Sequence, residues 1–234
     1  GGRPVFDVKG AVIGGHATMI DAIRVHTEGI GGDSHVRNTE LGDQRLTIGP
    51  RRVVPLVVAA QDNDGVIQML EEQSRNSTPR DTDGMYFWLR GGGSNWDARS
   101  KAEHQILEAL SATPSGRPYQ DVINSGLQRN AADRLLNAGV LVMAGFTPTD
   151  AMHVLALDLR YRPKPAMLGA QLLARSRNQF GGSLGTDSTD ICEQVYRGVA
   201  WKIAATILAS AFDHDDLPID ELEAPLAQEA LSRS

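Results

Sequence analysis

A chain of 234 residues with 41% hydrophobic content is long enough to bury a substantial core, as one large domain or two small lobes, and we expect two lobes. Its formal charge of −6 argues against non-specific nucleic-acid binding, which rests on clustered Lys and Arg. The single cysteine, Cys192, excludes an intrachain disulfide, and no apolar run approaches the ~20 residues that span a bilayer, so a reduced, cytoplasmic setting without membrane anchor or signal is expected.

The chain opens at Gly1-Gly2-Arg3-Pro4 and enters a strand-like run at once, which leads us to expect an internal segment of a longer protein. Apolar, β-branched pieces separated by glycine predict strands at residues 5–8, 11–13, 20–27, 35–38, 45–48 and 53–58. Val66, Ile67 and Leu70 at helical spacing predict a helix over 64–73, followed by a polar loop at 74–83 and a short strand at 85–89. Gly91-Gly92-Gly93-Ser94-Asn95 is the sharpest change in composition and reads as a joint.

Beyond that joint, Ser100 and Glu103 form a capping-box pattern opening a helix with Ala102, Ile106 and Leu110 on one side. A second short helix carries Tyr119, Val122 and Ile123, and a third carries Ala132, Leu135 and Leu136 before stopping at Gly139. Three short helices followed by an apolar strand at 140–146 suggest a winged-helix-like module. Thr147-Pro148-Thr149-Asp150 starts the next helix, with Thr147 as cap, Pro148 at the first position and Asp150 meeting the helix dipole. Further helices are predicted at 166–177 and 188–212. The expected division is therefore a strand-rich α/β segment with a glycine turn at 1–90, a winged-helix-like insertion at 91–146 and a helical part at 147–234.

The most informative stretch for chemistry is His26-Thr27-Glu28-Gly29-Ile30-Gly31-Gly32-Asp33-Ser34. Small residues let backbone amides close around an anion, the hydroxyls of Thr27 and Ser34 add donors, and Asp33 suits a phosphate-bound Mg²⁺. The stretch lacks the Lys-Ser/Thr of a Walker A loop and the spacing of a dinucleotide fingerprint, so a tight structural turn is the competing reading. His16, His26, His35, Asp21, Glu28 and Asp33 lie close together without a recognised metal-ligand spacing, and solvated or hydrogen-bonded roles are the simpler reading. Gln128, Arg129, Asn130 and Arg134 occupy the side of the third helix that a DNA reader would present, but Asp121 and Asp133 sit among them. The glycine turn at 181–185, His153 and the acidic run Asp213-His214-Asp215-Asp216 read as loop, packed histidine and solvated tail.

At two blocks the sequence resembles the hydantoinase A/oxoprolinase family, ATP-dependent enzymes that open cyclic amides such as hydantoins and 5-oxoproline. The first is Val25 to Ser34, a strand ending in His-Thr and a small-residue glycine turn, with Ile48-Gly49-Pro50 after it; the second is Thr147-Pro148-Thr149-Asp150-Ala151 followed by Val154-Leu155. The resemblance implies a partial actin-like (ribonuclease H-like) ATPase lobe, with residues 91–146 as an inserted module. It implies ATP and Mg as cofactors, with Thr27, Gly29, Gly31, Gly32, Asp33 and Ser34 on the nucleotide phosphates and Asp33 on the Mg. The partners implied are the rest of a parent chain or a hydantoinase-type subunit, together with a small cyclic-amide substrate. The family's acidic Gly-Gly-Thr and its Gly-Gly-Ala-Gly-Pro motifs are not in this sequence, so a segment inactive alone is expected. Asp33 and Glu28 replace smaller residues of the family turn, and two carboxylates beside a phosphate call for a cation. No nucleophile or base is assigned. The alternative is a non-catalytic module whose winged-helix-like part packs on a partner protein or nucleic acid.

Overall fold

The computed structural model describes residues 6–7, 12–13, 16–17, 22–23, 29–38, 46–93, 96–177 and 180–214. The chain divides into two compact units, one made of Gly1–Glu28 with Ile203–Ser234 and the other of Gly29–Lys202. In the first, β1 (Phe6–Asp7) pairs antiparallel with β4 (Ala22–Ile23), and β2 (Val12–Ile13) with β3 (His16–Ala17). Three of these pairs of residues fall within the strands expected at 5–8, 11–13 and 20–27.

The unit Gly29–Lys202 is a mixed α/β structure. Its hairpin joins β5 (Ser34–Asn38) to β6 (Leu46–Arg52), antiparallel, with an irregularity between Ser34 and Val36. A four-stranded sheet has the order β7 (Val54–Pro55), β10 (Leu141–Gly145), β8 (Tyr86–Leu89), β9 (Arg117–Pro118). The β7–β10 pair is parallel and the other two are antiparallel.

Period-two alternation decides which side of the sheet each residue serves. Phe87, Leu89, Leu141 and Met143 face a core completed by Ile106, Leu110 and Leu135. Those three come from α3 (Lys101–Ser111) and α5 (Gly126–Asn137), and the single-turn α4 (Tyr119–Val122) adds Val122. Tyr86 and Ala144 face the opposite core, which contains Leu56, Leu70, Phe146, Leu172 and Ile191. Its helices are α1 (Leu56–Asp62), α2 (Asp64–Arg75), α6 (Pro148–Val154), α7 (Lys164–Arg175) and the first part of α8 (Ser188–His214). The sheet is thus a shared middle layer between two helical layers.

The three helices expected after the glycine joint are present, but the strand that follows them is no peripheral wing. β10 is hydrogen-bonded on both sides, because its alternating residues supply both cores. The boundaries expected near residues 91 and 146 fall inside the unit Gly29–Lys202. At the joint itself, Arg90–Gly93 forms a 3-10 turn in which Gly91 and Gly92 have φ of 58° and 76°. Residues 94 and 95 lie outside the described residues.

The run 53–58, expected as one strand, is divided: β7 takes Val54 and Pro55, and helix begins at Leu56. Proline at residue 55 suits the turn into a helix, since its missing N–H would have no intrahelical partner. Among the described residues no helix is long and apolar enough to cross a membrane.

Gly116 and Gly139 both have positive φ, 93° and 71°, but differ in surroundings. A Cβ at Gly116 collides with the Phe87 carbonyl oxygen and the Tyr86 ring, whereas one at Gly139 meets open space. Gly116→Ala is expected to cost about 3 kcal/mol or more and Gly139→Ala only about 1 kcal/mol, as measured by urea unfolding. Equal costs would contradict the close packing of Gly116, in the loop between α3 and β9, against β8.

Candidate functional site

Asp150 is fully buried and organises the ends of two helices. One carboxylate oxygen accepts from Thr147 N–H at 2.9 Å and from Thr147 Oγ1 at 2.8 Å, while Thr147 Oγ1 in turn takes the Asp150 N–H, which closes a capping box at the helix start that the sequence reading expected Thr147 to cap. The same carboxylate accepts from Leu56 N–H at 3.2 Å and Val57 N–H at 2.9 Å, the first amides of α1. One side chain therefore satisfies donors at two helix N-termini 94 residues apart. Burial pushes the Asp150 carboxyl up to about 6, against the four donors that favour its ionised form.

The glycine turn is seated on this cap. Thr149 N–H donates to the Gly32 carbonyl at 3.0 Å, so the two sequence blocks, distant in the chain, touch directly. Gly32 allows that approach, because a Cβ there would lie 2.6 Å from Thr149 Oγ1. Within the turn, Gly31 N–H donates to Ser34 Oγ at 2.9 Å and Ser34 N–H to the Gly31 carbonyl at 3.1 Å. Ser34 Oγ also reaches the Gly29 carbonyl at 3.5 Å, and the side chain is buried. The Asp33 carboxylate accepts from Arg52 Nε at 2.7 Å, in an ion pair whose arginine side chain is mostly exposed. Among the described residues none accepts a hydrogen bond from the amides of Gly32 or Asp33.

Of the expected phosphate ligands, Gly29, Gly31, Gly32, Asp33 and Ser34 thus form one turn, with the amides of Gly32 and Asp33 as its open donors. Thr27 lies outside the described residues, as do Asp21, His26 and Glu28. Among the described residues there is no group of three or more His, Cys, Asp or Glu side chains able to hold a metal. His35 is buried under the hairpin with Nδ1 unpartnered. Burial, reinforced by Arg37 and Arg51, lowers it to about 3, so it packs as a neutral ring against Gly145.

On the side of α5 that a DNA reader would present, Arg129 and Asn130 are exposed, whereas Arg134 and Gln128 are engaged within the fold. Arg134 Nε donates to Glu103 at 2.8 Å, Asp133 accepts from Arg51 at 2.9 Å, and Gln128 caps the entry to α5 through Asn124 N–H. The Arg134 bond holds the Glu103 carboxyl below its ordinary value. Burial pushes the Cys192 thiol up to about 12, which marks a packed rather than a reactive cysteine.

A feature that the sequence reading did not assemble adjoins the turn. A cavity of about 640 Å³ is lined by Asp33 with Arg37, Arg51, Arg52 and Arg90, over a floor that includes Val53, Leu141 and Met143. The adjacent Arg51-Arg52 pair and Arg37 on the facing strand were its only sequence signal. Arg90 lies 38 residues further on, at the 3-10 turn, and joins them only in the fold.

No protein-family model, no curated protein and no solved structure matches the chain.

Asp150 and His35 impose opposite pH dependences. A carboxyl raised to about 6 binds its proton more tightly when folded, so its contribution is present below about pH 4 and is lost as pH rises through 6. An imidazole lowered to about 3 contributes above its ordinary value of 6.5 and loses that contribution as pH falls. Urea unfolding between pH 4 and 6 is expected to show Asp150→Asn losing stability more steeply on acidification than wild type. His35→Gln should lose it less steeply, each slope changing by about one proton, or ~1.4 kcal/mol per pH unit. Slopes that neither variant alters would refute both assignments.

Proposed function

We propose that this chain is a segment of an ATP-dependent cyclic-amide hydrolase of the hydantoinase A/oxoprolinase type, with an actin-like ATPase lobe whose nucleotide-phosphate site is walled in part by residues 29–34. The observation that carries this reading is the bond from Thr149 N–H to the Gly32 carbonyl, which joins the two blocks resembling that family into one site.

The residues present fit a nucleotide phosphate in two respects. Two consecutive amides, of Gly32 and Asp33, are uncommitted, as in other backbone anion cradles. Asp33 can release Arg52 at low cost to face a Mg²⁺, since ion pairs with an exposed partner contribute only ~0–1 kcal/mol. In the reaction, ATP supplies the phosphoryl group that activates an amide oxygen of the ring. This chain's own contribution is positioning: the Asp150 cap holds Thr149, Thr149 holds the turn, and the turn orients donors toward charge. The ring-opening groups belong, in this proposal, to the rest of a parent chain or to a partner subunit, and the segment alone binds without turning over.

Calorimetric titration of Mg-ATP into the 234-residue chain tests the reading. Weak binding is expected, with Kd of roughly 0.1–1 mM, and Gly32→Val should weaken it at least tenfold by forcing the turn away from Thr149. A thermal melt of the variant confirms that it folds. A folded wild type that binds no Mg-ATP, or a variant that binds as well, would leave residues 29–34 as a structural turn and favour a non-catalytic module.

A further inference from the structure

The cavity beside the glycine turn brings four arginines together against one aspartate. Their origins are separate: Arg37 comes from β5, Arg51 and Arg52 from the end of β6, and Arg90 from the turn after β8. Two are partly neutralised, Arg51 by Asp133 at 2.9 Å and Arg52 by Asp33 at 2.7 Å. Arg37 differs from both: its Nε is buried and has no hydrogen-bond partner, a costly condition for a charged donor unless an acceptor arrives. Arg90 is exposed at the rim.

Like charges repel, and gathering four guanidinium groups at one cavity costs free energy in the absence of a counter-charge. Buried His35 is kept neutral chiefly by its burial, with Arg37 and Arg51 adding to the effect. No packing role accounts for the cluster, because the core below is complete without it: Val53, Leu141 and Met143 are buried among apolar neighbours. The walls therefore combine a cationic rim with an apolar floor, within the size range of small-molecule sites.

We infer that this cavity is a binding site for a small organic phosphate, with Arg37 and Arg90 engaging the phosphate and the floor of Val53, Leu141 and Met143 taking its apolar body. Planar guanidinium forks match phosphate oxygens in bidentate pairs, and the surplus of cations over Asp33 calls for a ligand with more than one negative charge. A nucleic-acid backbone suits the site less well, since Asp33 lines it, Asp133 holds Arg51 and the whole chain carries −6. The inference stands apart from ATP use: its donors are side chains of the hairpin and the 3-10 turn, not the amides of Gly32 and Asp33.

The test is a calorimetric titration of inorganic pyrophosphate, without Mg²⁺, into the full chain at low and moderate salt. Binding with Kd of about 100 μM or tighter at low salt is expected, weakening as salt rises. Arg37→Gln should weaken it about tenfold or more, and Arg90→Gln about fivefold. Arg90 is exposed, so its variant reports on the site even where Arg37→Gln lowers the melting temperature. Gly32→Val should change pyrophosphate affinity less than about threefold, which separates this site from the one proposed for Mg-ATP. A folded wild type that shows no binding up to millimolar pyrophosphate would overturn the inference. Binding that survives both arginine variants, or tighter binding to a DNA duplex than to pyrophosphate, would overturn it as well.

Discussion

The Asp150 carboxylate, buried between two helix starts, accepts from Leu56, Val57 and both donors of Thr147. Each such bond to an ionised acceptor is worth roughly 1.5–3 kcal/mol, and its loss strands a buried amide. The consequence extends beyond the cap. Because Leu56 is held at the end of β7, the parallel β7–β10 pair and the helix α1 are aligned by the same group. Because Thr149 follows the cap by two residues, its amide is aimed at Gly32 and fixes the glycine turn. Sheet, helix layer and candidate site thus share one buried charge.

Around that point the unit separates its charges by function. Glu103 is paired with Arg134 and Asp158 with Arg160. His35, lying between the hairpin and Gly145, is kept neutral. In the arginine cavity the cations exceed their partners, and an excess of this kind is expected where a ligand supplies the missing charge.

Much of the local structure was legible because its causes are local. Ser100 and Thr147 each cap the helix that follows them, and Gly139 adopts the positive φ that ends α5. The glycine turn was legible as a turn, and its chemistry as two alternatives. The errors have physical causes too. Residues 53–58 are apolar and β-branched and read as strand, yet from Leu56 onward they are helical, because Asp150 supplies a cap that neighbouring sequence does not contain. The strand at 140–146 was assigned to a separate module; its alternation, feeding both cores, is what places it in the middle of the sheet.

By itself the sequence determined the helix starts at Ser100 and Thr147, the stop at Gly139, the mixed α/β character, and the glycine-turn and Thr147–Ala151 blocks as local motifs, since each rests on residues within a few positions of one another. Only the tertiary structure decided that those blocks meet at Gly32 and Thr149, that Asp150 serves two helices, and that Arg37, Arg51, Arg52 and Arg90 share a cavity. The reason is range: capping and periodicity act over a turn or two of chain, whereas a buried charge and a charged cavity are made by packing segments that the sequence keeps far apart.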